Sequence, residues 1–430
     1  MVVACFEDTS RRSTVPCQPA PVFVDALVFL ADFSPLTRYL EARLAKKFLE
    51  IAFAFPLGSP QEVFIEGILS YAAEHQRQWS YMLAPESNSI SISQLVGWHG
   101  DGVIAALNSS AEARCAKRFH LPVVNISSAL PKSPVPRAMV DNVTIGELAA
   151  EHFLERGYEN LAFFGLEDTE YSKQRFGAFA NRLAEHGLEP VSYLAAPTFV
   201  IRGTGWLREH KALTAWLRKL PKPVGVFATS DARARQLMNS CQQLGVEVPE
   251  QVAVLGVDDQ QIICEHYHPT ISSIARDSVK EGYEAARILD RLLRGQMAKE
   301  EDVVVPPVGL VARESTDAVA VQDERLQSVL RFLRANIEQP ITVAEVCRHI
   351  DVSRRWLEYA FQEMLGESPF HYIRRRRLLH AKSLLSSEKR TSINTIATRC
   401  GYTSSNQLAK AFRAEFGESP RDFRRRLSSG

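Results

Sequence analysis

Nothing in this sequence places two cysteines in a CxxC spacing; its seven cysteines stand apart at 5, 17, 115, 241, 264, 347 and 400. That scatter excludes a disulfide framework and a clustered zinc site, and it fits reduced thiols in a cytoplasmic setting. His266 and His268 have no cysteine beside them, so no metal is expected. No apolar run reaches about 18 residues, the length a spanning helix needs, so no membrane contact is expected. The opening MVVACFEDTSRRS carries acidic residues and no long apolar core, unlike a secretion signal. Also missing are a glycine-rich phosphate loop (GTG at 203–205 is too short) and a Ser/His/Asp set. The chain does not read as an enzyme, and no cofactor is expected.

What is present is an uneven distribution of charge. The formal net charge of the 430 residues is only +1, yet from Arg325 onward 20 lysines and arginines face 10 acidic residues. The first 324 residues hold 31 against 40, so a basic module follows an acidic body. A basic module of this kind points to a nucleic-acid partner. From Phe48 to about Leu310, strand-length apolar runs such as EIAFAF, GVIAAL, LAFFGL, VGVFAT and VAVLGV alternate with helical stretches. Such runs are the pattern of parallel strands buried on both faces, and their number suggests two lobes. The expected organisation is an extension over 1–46, an α/β body over 47–315, a linker over 316–324 and an all-helical module over 325–430. Within the extension, VFVDALVFLADF fits a short strand or helix, and SPLTRYLEARLAKK a capped amphipathic helix.

The helical module repeats itself. GESPFHYIRRRR from Gly366 and GESPRDFRRR from Gly417 stand 51 residues apart. Upstream of each copy, Leu357, Ala360 and Phe361 correspond to Leu408, Ala411 and Phe412. Each unit reads as a short helix, a tight turn, and a second helix capped by Ser353 or Ser404, the helix-turn-helix layout. At about 100° per residue, Arg355, Tyr359 and Gln362 face away from the first apolar stripe, and Asn406, Lys410 and Arg413 away from the second. Arginine and asparagine make bidentate contacts to guanine and adenine edges; a solvated surface is the plainer alternative. Between the units, Phe370, Ile373, Leu378, Ala381, Leu384 and Leu385 form one face about 140° wide on a connecting helix. A helix from Pro369 to Ser386 spans about 27 Å, near the ~34 Å between successive major-groove entries. Arg375 and Arg376 lie opposite that face, suited to phosphate or solvent, whereas Arg377 reads as structural; Arg424, Arg425 and Arg426 fit a solvated tail or a DNA contact.

In the α/β body the polar motifs stand where strands end, the place open α/β sheets bind ligands. They are Asp141 in VDNVTIG, Arg175 in KQRFGAF, Ser230 and Asp231 in ATSDARA, and Asp258 and Asp259 in LGVDDQ. Converging carboxylates and an arginine grip a polyhydroxylated ligand through paired hydrogen bonds, with Tyr171, Phe176 and Trp206 available to cover its apolar face. Each is equally a helix cap or a surface charge, and Asp141 and Asp231 both suit N-cap positions.

The two-unit pattern of the last hundred residues resembles the AraC/XylS family of transcription regulators. The resemblance implies that the second helix of each unit enters the major groove. Its readers would then be Arg354, Arg355, Glu358 and Tyr359 in the first unit, and Ser405, Asn406, Gln407, Lys410 and Arg413 in the second. The order DN–x3–G, R–x2–AF, TSDARA, VLGVDD is similar to the periplasmic-binding-protein-like sensors of LacI-family repressors, although their N-terminal helix-turn-helix is missing here and FPLGSPQEVFIEGI lacks the Tyr-x-Arg common in the first turn. This second resemblance implies ligand contacts at Asp141, Arg175, Ser230, Asp231 and Asp258. It also implies a small sugar effector, a pentose such as D-xylose. The partners to expect are promoter DNA, a second copy in a homodimer and, for an activator, RNA polymerase. Two rival readings make demands that the sequence does not meet. A transport-type solute-binding protein needs a secretion signal and no basic tail. An alkyl-transfer repair enzyme needs a Pro-Cys-His-Arg setting, to which Pro16-Cys17-Gln18 is the nearest approach.

Overall fold

In the computed structural model the apolar runs pair side by side into two six-stranded sheets. The structure describes residues 48–55, 61–82, 90–197, 205–296, 302–318, 323–339, 341–387 and 391–428. The segments expected as elements in 1–46, residues 56–60 of the first turn, and 319–322 of the linker lie outside the described residues. The first lobe contains β1 (Leu49–Ala54), β2 (Trp79–Met82), β3 (Gly102–Ala105), β4 (Val123–Asn125), β5 (Arg137–Val140) and β11 (Asp302–Val305), ordered β11-β5-β4-β3-β1-β2 and all parallel. The second contains β6 (Leu161–Leu166), β7 (Val191–Ala195), β8 (Val224–Ala228), β9 (Val252–Val257), β10 (Ser272–Ala275) and β12 (Gly309–Val311), in the order β12-β10-β9-β8-β6-β7. Only β12 runs antiparallel, along the edge of β10. Strands β3, β6, β8 and β9 are buried along their whole length, the reason their sequences show no polar alternation.

The body's described helices are α1 (Gln61–Glu74), α2 (Ser110–Ala116), α3 (Asn142–Leu154), α4 (Glu170–Ala184), α5 (Gly205–Lys219), α6 (Asp231–Leu244), α7 (Gln261–Cys264) and α8 (Ser278–Leu293). The chain passes between the lobes three times, at β5–α3, at β10–α8 and at β11–β12. All three passages lie at strand ends, so the lobes face each other across a cleft rimmed by loops. Helices α1 and α8 pack closely because glycines meet at their crossing. A Cβ on Gly67 would fall 1.8 Å from the Val279 carbonyl oxygen, and one on Gly282 2.1 Å from that of Phe64.

The basic module is all helical: α9 (Glu324–Ala335), α10 (Val343–Ile350), α11 (Arg354–Leu365), α12 (Pro369–Ser387), α13 (Ile393–Arg399), α14 (Ser405–Phe416) and α15 (Pro420–Ser428). The duplicated GESP is a stop-and-start unit. Gly366 and Gly417 end their helices at φ +70° and +79°, a conformation glycine adopts without Cβ strain. Two residues later Ser368 and Ser419 accept the backbone N–H of His371 (3.3 Å) and Asp422 (3.2 Å), and proline opens each new helix. The aromatic six residues beyond each glycine, Tyr372 or Phe423, is buried in its own head.

Helix α12 belongs to both heads. Tyr372 and Ile373 pack with Leu357, Ala360 and Phe361 of the first; Leu378, Ala381, Leu384 and Leu385 pack with Ile396, Leu408 and Phe412 of the second. One expected member of its apolar face is corrected: Phe370 is 64 % exposed, because the first head closes over Tyr372 and Ile373 instead. At 19 residues α12 is about 28 Å long.

Candidate functional sites: the interlobe cleft and the paired recognition helices

The strand ends bring together most of the polar residues singled out above. Asp141 follows β5 directly and caps α3. Its Oδ1 accepts the N–H groups of Val143 and Thr144 at 3.0 and 3.1 Å, and its Oδ2 the Thr144 hydroxyl at 2.9 Å. Ser230, not Asp231, caps α6, accepting from the Arg233 N–H at 3.4 Å. Asp231 instead occupies the first helical turn and is fully buried; its carboxylate accepts the Ser273 hydroxyl at 2.6 Å and the Gln260 N–H at 2.8 Å. Burial, followed by the neighbouring charge of Asp258, pushes its pKa up to about 7. Gly256 is required there, since a Cβ would lie 2.3 Å from Asp231 Oδ1.

Arg175 is buried on α4, donating to Asn142 Oδ1 at 2.9 Å and to the Thr229 carbonyl, with its guanidinium 5.1 Å from the centre of the Tyr171 ring. Burial lowers its pKa to about 10 against the opposing attraction of Asp258. Asp258 sits at φ +108°, a conformation that costs a non-glycine residue on the order of 1–3 kcal/mol and concentrates at ligand sites. Its Oδ1 accepts from Arg276 Nη1 at 3.2 Å.

Arg276 and Glu281 were not among the residues read from the sequence. Arg276 lies in the β10–α8 passage, and its Nε and Nη2 grip the fully buried Glu281 of α8 at 3.2 and 2.8 Å. The guanidinium also stands 5.8 Å from the centre of the Phe64 ring. One arginine thus joins a carboxylate of the second lobe to a carboxylate and an aromatic of the first. A strand ending directly in Arg, followed by a helix with a glutamate on its buried face, is the sequence signal that would have found it.

The cleft is also drawn together by direct bonds. Glu170 and Tyr171 donate their backbone N–H groups to Ala129 and Ser128 carbonyls at 2.9 and 3.1 Å, and Asn142 Nδ2 reaches Ser128 Oγ at 3.1 Å. Of the aromatics proposed to cover a ligand, only Tyr171 stands among these groups. Phe176 turns into the core against Phe163, ring centres 5.2 Å apart. Trp206 lines a cavity of about 920 Å³ between α5 and α6. Asp259, at φ +51°, turns toward Arg313, with which it pairs at 2.7 Å. Among the described residues no group of three or more His, Cys, Asp or Glu is placed to hold a metal ion, and no helix is long and apolar enough to cross a membrane.

In the basic module, Arg354, Arg355, Glu358 and Tyr359 are exposed on α11, and Asn406, Gln407, Lys410 and Arg413 on α14, with Ser405 half-buried. Not all are equally available. Arg354 Nε pairs with Glu358 Oε1 at 2.8 Å, so the acidic group on the first reading face is already matched. The Gln407 carbonyl oxygen holds the turn, accepting the Thr403 hydroxyl at 3.0 Å and its N–H at 3.2 Å. Arg375 and Arg376 are not simply solvated: both donate to Asp317, which follows the last turn of the α/β body, and only Arg375 keeps substantial exposure, at 34 %. Arg377 is structural, as expected, donating to the Gln339 carbonyl at 2.6 Å beneath Gly401. Arg424 holds the Thr391 carbonyl at 2.7 Å, while Arg425 and Arg426 pair with Asp422 and Glu418.

Known proteins share this architecture. Residues 150–316 match the periplasmic binding protein-like domain, and residues 346–426 a helix-turn-helix domain. The xylose operon regulatory protein of Escherichia coli K12 is 30 % identical over 367 residues, covering 84 % of this chain and 92 % of the relative. The Haemophilus influenzae protein of the same name is 29 % identical over 369 residues, covering 84 % and 94 %. Among solved structures, the xylose-binding transcription activator xylR superposes with a TM-score of 0.71 at 28 % identity, covering 88 % of this chain and 98 % of that one. With its α/β body and basic double helix-turn-helix in the same order along nearly the whole of these relatives, the chain belongs to the xylose operon regulatory protein family of transcription regulators.

Proposed function

We propose that the chain is a pentose-responsive activator, with residues 47–315 as sensor, 316–324 as linker and 325–430 as DNA reader. D-xylose is the pentose its relatives' names favour. Arg276 is the observation that carries the reading. A guanidinium shared between Asp258 of one lobe and Glu281 of the other makes the lobe arrangement depend on what else occupies the cleft. A sugar whose hydroxyls pair with Arg175, Asp258 and Arg276 beside Tyr171 favours one arrangement by its differential affinity for the two. Asp141, Ser230 and Asp231 shape this wall by capping and buried hydrogen bonds. On the reader, Arg355 and Tyr359 in the first head, and Ser405, Asn406, Lys410 and Arg413 in the second, face the bases. Arg354, Glu358 and Gln407 fix the reading surfaces. Two heads on one rod read two successive major grooves, a homodimer presents four, and an activator so placed meets RNA polymerase.

The test is a thermal-shift and calorimetric comparison of D-xylose, D-ribose, L-arabinose and D-glucose on the full chain. D-xylose raises the melting temperature most, and Arg276→Gln abolishes the rise. A response to none of them, or an equal response to all four, overturns the effector assignment. DNase footprinting separately tests the reader: two adjacent grooves protected per module are expected, one is not.

A further inference from the structure

Asp317 follows directly on the 3-10 turn Glu314–Thr316, where the α/β body passes into the linker. Its carboxylate accepts from two successive arginines of α12: Arg375 Nη1 at 2.7 Å and Arg376 Nη1, the latter also reaching the Asp317 carbonyl at 3.2 Å. Successive residues on a helix point about 100° apart, so one carboxylate held between two of them fixes both the rotation and the axial setting of the helix. This is not an ordinary surface pair. The side chains of Arg376 and Asp317 are 10 % and 16 % exposed, and Arg375 is held further by Glu367 at 2.8 Å. Buried pairs of this kind are weak sources of net stability but are strongly disrupted when one member is removed.

The turn carrying Asp317 is fastened to the sensor. Thr316 Oγ1 lies 2.8 Å from His152 Nε2 and 2.7 Å from Ser272 Oγ, and its carbonyl accepts from Arg156 at 3.0 Å. Just upstream, Arg313 pairs with Asp259 at 2.7 Å. Asp259 and Asp258 are consecutive, both at positive φ, and Asp258 is held by Arg276 in the interlobe passage. Two charged contacts, Arg276–Asp258 and Asp259–Arg313, joined through the backbone from Asp258 to Asp259 and from Arg313 to Asp317, therefore lead from the cleft to Asp317, and from there to the helix on which both reading heads are mounted.

We propose that Asp317 is the latch through which the sensor orients the DNA reader. The lobe arrangement sets Asp258–Asp259, Arg313 carries that setting to the Glu314–Asp317 turn, and Asp317 passes it to α12 through Arg375 and Arg376. Asp317 touches neither sugar nor DNA; it is a positioning residue. This rests on the sugar-effector reading for what drives the latch, though not for its existence.

The experiment uses the full chain, with Asp317→Asn, Arg375→Gln and the conservative Asp317→Glu beside the wild type. The first measurement needs no sugar: hydrogen exchange of the α12 amides. Asp317→Asn is expected to speed exchange by roughly tenfold, the factor corresponding to 1.4 kcal/mol of lost protection, with Asp317→Glu largely restoring it. The second measures affinity for a duplex selected by the wild type from random sequence, with and without saturating D-xylose. The wild-type ratio, of the order of 5–150-fold in coupled systems, falls to about 1 in Asp317→Asn, while D-xylose affinity measured without DNA stays within about twofold. Unchanged α12 exchange in Asp317→Asn overturns the latch, and so does a retained sugar ratio. Should D-xylose leave wild-type affinity unchanged while Asp317→Asn still loosens α12, the latch stands and the effector assignment falls. Arg375→Gln, which leaves Asp317 paired with Arg376, gives a smaller loss in the same direction and decides the matter if Asp317→Asn does not fold.

Discussion

The two heads of the reader share a scaffold and differ on their surfaces. Leu357 and Phe361 in one, and Leu408 and Phe412 in the other, are fully buried at matching places. Ser353 and Ser404 cap their recognition helices, accepting from Trp356 at 3.1 Å and Gln407 at 3.2 Å. The outward faces share nothing of this. The first carries an Arg354–Glu358 pair and an exposed Tyr359; the second carries Asn406, Lys410 and Arg413. The repeat keeps what folding requires and varies on the exposed faces. They differ also in mounting, because Asp317 grips α12 at its first-head end, next to the buried Tyr372.

The largest effects come from breaking one scaffold and sparing the other. Phe412→Ala removes a fully buried ring packed on Phe416 and Phe423, with centres 4.6 and 5.7 Å away, and is expected to cost about 3–5 kcal/mol in the second head. Footprinting of that variant should keep first-head protection and lose the other. Phe361→Ala costs the first head a similar amount. It also removes the edge-on contact to Tyr372 at 5.4 Å, so it should additionally loosen α12 from the sensor. Equal footprints from the two variants would show that the heads do not act separately.

Next come the reading faces. Arg355→Ala and Asn406→Ala are each expected to cost about 1–3 kcal/mol and to relax specificity at one base position, in different half-sites. Selection from random duplexes checks this; equal loss on every sequence would mean that the side chain touches phosphate alone. Arg354→Ala sharpens the contrast, because it leaves Glu358 unmatched on the first face whereas Ser405 occupies the equivalent place on the second. Affinity should fall on all sequences, because the bare Glu358 carboxylate repels phosphate, while Ser405→Ala exposes no charge and brings no such general loss.

What the sequence disclosed and what it hid follow one rule. The GESP units, the serine caps and the buried strand runs are local patterns, enforced by dihedral preference, hydrogen-bond geometry and burial within a few residues, and they were legible. Arg376 was not. In a run of four arginines it resembles a DNA-facing or solvated charge, and only its partner Asp317, 59 residues away, gives it another role. Arg276 was missed for the same reason, since its meaning lies in carboxylates from two lobes. Asp231 read equally as a ligand contact or a helix cap, and its sequence did not show that Ser230 takes the cap while Asp231 is bound inward by Ser273. Polar residues at strand ends were therefore readable, whereas the roles of Arg276 and Arg376 depend on tertiary contacts with no local signature.

The smallest expected effect concerns the same joint beside the first head. His268 Nδ1 lies 3.9 Å from Glu314, at a cavity of about 290 Å³ that Leu333, Tyr372 and Arg376 line from the reader's side. The facing Glu314 carboxylate raises the His268 pKa above 6.5. Glu314 is held down to about 2, because the facing His268 and the Thr270 N–H, which donates to it at 2.8 Å, outweigh its own burial, so it stays ionised throughout. A raised imidazole pKa stabilises the form that holds the proton. The contribution is therefore complete below 6.5 and is lost as pH rises through the elevated value. Because the His268 side chain is 63 % exposed, solvent screens the pair and its worth is at most about 1 kcal/mol. The melting temperature of His268→Gln should lie slightly below wild type at pH values under 6.5 and merge with it on the alkaline side. A gap that widens with rising pH would mean that the imidazole works at this joint in its neutral form, through packing and not through charge.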